Sequence, residues 1–255
     1  MILEEFDGSS KAIINPEDLN EPITGFPETV VSCFARATFG RILERYPHRQ
    51  VAETSVANLS IPIYEIDYEG QKLGLFNAYV GAAGCVAILE DLAVFGMKRL
   101  VLFGTCGILD HQIEETSIIV PTQALRDEGT SFHYAPASEE IRVNERSFQA
   151  FTAFLENEGI FYSTGKVWTT DGVYRETPAK MMARKDSGAI AVDMECSAVA
   201  AWAQFRQLAV CHFFYAADHL SQEKWQPGTL GNEADLDTKD KIAEIALGFS
   251  SLFSA

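Results

Sequence analysis

The chain has 255 residues, 47% hydrophobic and 22% charged, with a formal net charge of -16. That length suits one large α/β domain or two small ones. Such an excess of acid opposes binding to nucleic acid or an anionic membrane, because long-range repulsion must be overcome before any contact forms. A small anionic substrate remains compatible, provided a local cluster of positive groups outweighs the global field. The five cysteines (Cys33, Cys85, Cys106, Cys196, Cys211) form no CxxC pair. They read as reduced thiols of a cytoplasmic protein, with neither a disulfide framework nor a metal site. The opening "MILEEFDGSS" has acids where a signal peptide carries lysine. No segment reaches the ~20 apolar residues of a membrane span, so a soluble intracellular protein is expected.

Residues 1–25 read as irregular, with turn signals at "NPED" and "NEPITG". Residues 28–46 carry Val31, Phe34, Ala35, Phe39, Ile42 and Leu43 at helical spacing, which predicts one helix ending before Pro47. Next, "IPIYEIDYEGQKLGLFNAYVG" has two alternating apolar runs about "EGQ", the pattern of a hairpin. "AGCVAILEDLAVFGM" reads as an amphipathic helix closed by Gly96. "RLVLFGTCG" is a short apolar strand entering a glycine turn, of the kind found inside parallel sheets. "TSIIVPTQAL", "KVWTT" and "LAVCHFFYAA" read as further strands, and residues 144–158, 195–206 and 235–253 as helices. Without repeats or linkers, this alternation predicts a single α/β domain over residues 1–255.

Ligands of open α/β sheets gather at the carboxyl ends of strands. Three such ends carry glycine or polar signals: "FGTCG" (103–107), "VDMEC" (192–196) and "YAADH" (215–219). The glycines of "GTCG" let backbone approach a ligand, and Thr105 adds a hydroxyl; an unliganded strand-to-helix turn has the same pattern. Glu195 opens a helix with Ala198, Val199, Trp202 and Phe205 on one face. It is either an acid favoured there by the helix dipole, an effect of roughly 0.3–1 kcal/mol, or a carboxylate accepting two sugar hydroxyls at about 1.5–3 kcal/mol each. Asp218 either caps the next turn or, with its pKa raised by partial burial, protonates a leaving group. "WTTDGVYRET" (168–177) is either a decorated surface loop or a nucleobase pocket using the flat face of Tyr174. In "ALRDEGTSFHY" (124–134), Arg126, Asp127 and Glu128 either touch substrate or form a structural ion network. His48 and His111 are expected in polar loops, and His212 within the sheet.

Taken together, "GTCGIL", "IIVPTQALRDEGTSFHYAP", "TTDGVY", "VDMECSAVAA" and "AADH" resemble the nucleoside phosphorylase family, which includes uridine phosphorylase, hexameric purine nucleoside phosphorylase and related nucleosidases. The likeness covers roughly residues 50–220. It implies one α/β domain around a central mixed β-sheet flanked by helices, and homo-oligomers, either dimers or hexamers. It also implies no cofactor, with phosphate as co-substrate. By this resemblance Met194 and Glu195 line the ribose, and Glu195 takes its 2′- and 3′-hydroxyls. Thr105, Cys106 and Gly107 sit beside sugar, phosphate or base. The loop from Thr170 to Arg175 covers the base, with Val173 or Tyr174 packing on its face. Asp218 matches the acid that protonates a departing purine, and Gly104, Thr105 and Arg126 are the candidates for phosphate.

The chain departs from the family where phosphate is held. The arginine-bearing N-terminal turn reads "GFPET", with Thr29 at the arginine's place; "ANLSIPIY" offers none ahead of the first hairpin; and Leu102 stands where another is expected. Either Arg126, Arg175 or Arg41 substitutes, or water is the acceptor. The resemblance alone implies phosphorolysis of a purine nucleoside to free base and ribose 1-phosphate as the expected activity. The alternatives are hydrolysis on the same scaffold and a catalytically silent nucleoside-binding protein.

Overall fold

Arg99–Ile108 (β5) is the strand around which the others are arranged. Its nearly uncharged run alternates large side chains between two helical layers, which fits a position buried on both faces. The computed structural model describes residues 2–9, 11–221, 224–231 and 233–253. On one side β5 pairs in parallel with Thr29–Cys33 (β1), which is followed in the sheet by Gln71–Asn77 (β4), Leu59–Tyr68 (β3) and His48–Val56 (β2). The β3–β4 hairpin turns at Glu69 and Gly70, both at positive φ, the backbone a tight hairpin requires.

On its other side β5 pairs in parallel with Ala209–Leu220 (β10) and, near its end, antiparallel with Ala189–Asp193 (β9). The sheet continues through Tyr162–Thr170 (β8) and Ile118–Asp127 (β6) back to β10. Five strands thus close on themselves, with the short Glu140–Arg142 (β7) on β6 and Trp225–Gln226 (β11) on β10. The sheet is mixed, as expected from the resemblance.

Alternation along the strands fills two layers. Val31, Val101, Phe103 and Phe213 face Arg36–Arg45 (α1), Phe148–Asn157 (α4) and Leu236–Leu252 (α7). Val30, Leu100, Leu102 and Val210 face Ala82–Phe95 (α2) and Cys196–Arg206 (α6). Ser131–Tyr134 (α3) and Pro178–Asp186 (α5) lie in the long connections. Among the described residues, no helix is long and apolar enough to cross a membrane.

The helix expected over residues 28–46 is instead β1 followed by α1. Its apolar residues do fall at helical spacing, but Thr29, Val30 and Val31 are β-branched and fit the buried slot between β4 and β5. His48 begins β2 rather than lying in a loop. His212 lies in β10, fully buried against Phe214.

Asn144, at φ 57°, fastens the lower end of β10. Its Oδ1 accepts from the His212 N–H at 2.7 Å, and its Nδ2 donates to the carbonyls of His212 at 2.8 Å and Pro121 at 3.1 Å. Asn144→Ala would orphan these buried groups and strain the left-handed backbone, lowering stability by about 2–4 kcal/mol. Urea unfolding should show a lower midpoint with an unchanged slope.

Candidate active site

The carboxyl ends of β5, β9 and β10 meet at one point. Gly107 pairs with Val192 on one side and Asp218 on the other. A Cβ at Gly107 would lie 2.5 Å from Leu220 Cδ1 and 3.0 Å from Val192 Cγ1, so the strand ends close up only around glycine. Above them opens a cleft of two lobes that share Val173, Glu176, Asp218, Leu220 and Leu230. The inner lobe, about 160 Å³, is walled by Phe34, Thr105, Cys106, Met194 and Glu195. The outer lobe, about 330 Å³, is walled by Tyr174, Pro178, Met181 and Trp225.

Glu195 is 5% exposed and occupies the N-cap position of α6, yet its side chain does not cap that helix. Asp193 does so instead: its Oδ2 accepts from the N–H groups of Glu195 at 2.7 Å and Cys196 at 2.6 Å, while its Oδ1 accepts from Thr169 Oγ1 at 2.8 Å. Freed from capping, Glu195 reaches the start of α2, where the Gly81 N–H donates to Oε1 at 2.5 Å. The helix-dipole reading of Glu195 is therefore half right, since the favourable N-terminus belongs to α2. A carboxylate has about four lone-pair sites, which leaves Glu195 able to accept donors from the cleft.

The acids here are poorly solvated. Burial raises the pKa of Glu195 to about 8, helped by the charge of Asp193 and opposed by the Gly81 and Met194 N–H groups. Asp193 is also raised by burial, against the pull of its hydrogen bonds. Burial raises Asp218 too, and the Trp225 indole N–H, donating to Oδ2 at 2.7 Å, acts the other way. Glu176 is pushed up to about 7, first by burial and then by the charge of Asp218. The Cys106 thiol is raised well above its usual value by burial, which makes it a wall and not a nucleophile.

Of the residues expected from sequence, Thr105, Cys106, Gly107, Val173, Met194, Glu195 and Asp218 line the cleft, and Tyr174, 95% exposed, stands at the outer rim. Four expected residues do not. Thr170 is buried, its hydroxyl accepting from the Gly172 N–H. Arg175 is exposed outside both lobes. Gly104 lies beneath Phe34, whose Cδ2 would be 2.7 Å from a Cβ there. Arg126 is structural: its guanidinium donates to Ser131, Ser138 and the carbonyls of Ala135 and Pro136, and it stacks over Phe132. Arg41 is tied to Asp240 of α7. The "GFPET" run leads into the wrong end of β1, since Thr29 pairs with Arg99, six residues before Thr105 in β5. The turn that borders the cleft is the one after β1, at Phe34.

Sequence reasoning missed Phe34, Gly81, Glu176 and Trp225. Glu176 stands in the same "YRET" run as Arg175, whose charge is the plainer local signal for an anion. Phe34 was hidden by its apparent helix, and nothing local marks Gly81 or Trp225.

This fold and site have known relatives. The family model of the phosphorylase superfamily matches residues 30–251, and the chain belongs to that superfamily. It is 23% identical over 195 residues to a guanosine phosphorylase of Halorubrum lacusprofundi, covering 76% of this chain and 78% of that protein. Against a DeoD-type purine nucleoside phosphorylase of Bacillus cereus it is 24% identical over 160 residues, 60% of this chain and 66%, just under two thirds, of the other. Among solved structures, uridine phosphorylase from Vibrio fischeri superposes with a TM-score of 0.77 at 20% identity, covering 95% of this chain and 100% of that one. AMP nucleosidase from Bacteroides thetaiotaomicron gives 0.71 at 20% identity, covering 90% of each chain. At such identities the structural likenesses establish the fold.

The raised pKa of Glu195 has a consequence for stability. Between the ordinary carboxyl value of 4.5 and about 8, the native state binds a proton that the unfolded state has lost. The stability this confers is full below about 4.5 and is lost as pH rises through about 8. Glu195→Gln, which cannot ionise, should therefore melt progressively higher than wild type from pH 5 to pH 9, with the difference vanishing in acid. Melting temperatures across that range measure the effect.

Proposed function

We propose that the chain cleaves the N-glycosidic bond of a purine nucleoside and passes the sugar to water. The inner lobe suits a pentose, with Met194 and Phe34 packing on the ring and the vicinal hydroxyls donating to Glu195, which would draw its carboxyl group towards the ionised form. The outer lobe suits a flat base, between the apolar walls and Trp225. Asp218, at the junction, is the group to protonate the departing base, because burial keeps a proton on it to higher pH. As the bond lengthens C1′ gains positive charge and the base negative charge, so an acid beside the base and carboxylates around the sugar address both ends.

The observation that carries the choice of acceptor is the charge of the lining. Among the described residues the cleft presents Glu176, Asp193, Glu195 and Asp218, and no lysine, arginine or histidine. A phosphate dianion buried there would lose hydration worth several kcal/mol without a compensating cation. Water carries no such cost. The Thr105 hydroxyl, which lines the inner lobe and forms no hydrogen bond among the described residues, supplies a polar contact for it.

Phosphorolysis is the second reading. It is supported by the names of the matched relatives and by Arg36, which is exposed, unpaired among the described residues, and two residues beyond Phe34.

A nucleoside panel assayed with and without phosphate separates the two. Free ribose released at a rate independent of phosphate is expected; ribose 1-phosphate formed only when phosphate is present would select the second reading. Asp218→Asn keeps an acceptor for Trp225 but has no acidic proton. It should slow purine release about 10²–10³-fold and pyrimidine release much less. Equal slowing of both would remove the proton-donor role.

A further inference from the structure

A separate cavity of about 330 Å³ lies at the other end of β10, between the C-terminal half of α6 and the turn that follows β7. Its volume reaches the range of small-molecule sites and far exceeds the ~30 Å³ of a single water. Val199, Ala200 and Ala203 of α6 form one wall, and the alanines leave room that larger side chains would fill. Val210 and His212 form the floor. His212 stands six residues before Asp218, about 20 Å along an extended strand. The cavity and the active cleft share no lining residue.

The floor carries a polar group with nothing to bond. Val210, His212 and Phe214 alternate onto the face of β10 that meets α6. His212 is 1% exposed, and neither ring nitrogen has a hydrogen-bond partner among the described residues. Buried polar side chains are seldom left in that state. Its main chain is held by Asn144, which bonds both the N–H and the carbonyl, so the ring's position is fixed. Burial drives its pKa down to about 3, so the ring is neutral and offers one N–H donor and one lone pair. A hydroxyl group, which donates and accepts at once, answers both.

The mouth is cationic in an acidic protein. Arg142 and Arg146 flank it, with Glu145 the one acid among the described lining residues. Arg142 meets Glu145 at 3.6 Å. Arg146 donates through Nη1 to the Gln207 carbonyl at 2.8 Å, leaving Nε and Nη2 without a partner among the described residues. Gln204 Nε2 donates to the Arg142 carbonyl at 2.9 Å, so α6 and the turn are already joined at the rim.

We propose that this cavity is a second ligand site for a small organic oxyanion bearing a hydroxyl group, its anionic end on Arg142 and Arg146 and its hydroxyl on the His212 ring. The guanidinium fork matches carboxylate and phosphate alike, so hydroxy acids and sugar phosphates share the required chemistry. The site stands apart from the reading of the active cleft.

The test is calorimetric titration with malate, ribose 5-phosphate and inorganic phosphate. Malate or ribose 5-phosphate should bind at least about tenfold more tightly than inorganic phosphate, which has no carbon-borne hydroxyl to reach the floor, a factor within reach of one hydrogen bond. Whichever binds identifies the anionic group. Affinity should fall about tenfold in His212→Phe, vanish when Arg142 and Arg146 are both replaced by alanine, and persist in Glu195→Ala, with melting temperatures confirming the folds. Nitrogen-15 spectra of the wild type should show the His212 ring resonances moving as ligand is added, a readout that does not depend on any variant folding. The proposal is overturned if neither ligand binds, if binding survives loss of both arginines, if it is lost in Glu195→Ala, or if the His212 resonances stay fixed while ligand binds.

Discussion

The site depends on how Asp193 is used. By accepting two consecutive N–H groups and the Thr169 hydroxyl, it ends β9, starts α6 and satisfies the donors that a helix N-terminus leaves open. Glu195 is thereby released from the capping role its position suggests and reaches across to Gly81. The same Thr169 hydroxyl accepts the Ser197 N–H, and Ser197 Oγ donates to Glu128, so the turn is braced from β8 as well. Were Asp193 replaced by an apolar residue, the α6 donors would need another acceptor, and Glu195 is the nearest carboxylate in sequence.

The cleft gathers four acids in a chain already rich in acid, at a cost shown by their raised pKa values. Catalytic groups are commonly arranged in this way, at the expense of stability. The arrangement is coherent for a reaction whose transition state is cationic at the sugar. Burial leaves Glu195 protonated up to about pH 8, and a positive charge developing beside it would favour its ionised form. An anionic acceptor would find no lysine, arginine or histidine among the described lining residues.

Much of this was legible in the sequence because strand ends are written locally. "FGTCG", "VDMEC" and "YAADH" each combine an apolar run with a glycine or acid, and the three converge around Gly107. What stayed hidden depends on pairing. The strand character of Thr29–Cys33 comes from its neighbours β4 and β5, not from its own spacing, so the run read as a helix and Phe34 was lost to the site with it. Arg126 read either as a phosphate ligand or as part of a structural ion network, and its partners prove to be hydroxyls and carbonyls within twelve residues, in the loop that wraps it. Glu176 was unreadable because its significance lies in facing Asp218, 42 residues later in the chain.

The outer lobe is tied to the body of the protein through its far wall. Trp225 pairs with Leu220 in β11 and donates its indole N–H to Asp218. The Thr229 N–H donates to the Ala217 carbonyl at 2.8 Å. Gly228, at φ 44°, passes so close to β10 that a Cβ would lie 2.2 Å from that same carbonyl. Beyond it, Lys239 of α7 is 1% exposed and donates through Nζ to the Gly231 carbonyl at 2.6 Å. Burial lowers the pKa of its ammonium group, and the charges of Asp235 and Glu233 act the other way. Its placement makes structural sense because it anchors the segment that carries Trp225. The wall that carries Trp225 is therefore held by β10, which bears Asp218, and by α7. A disturbance of α7 would be felt at Trp225, and through its indole N–H at the acidity of Asp218.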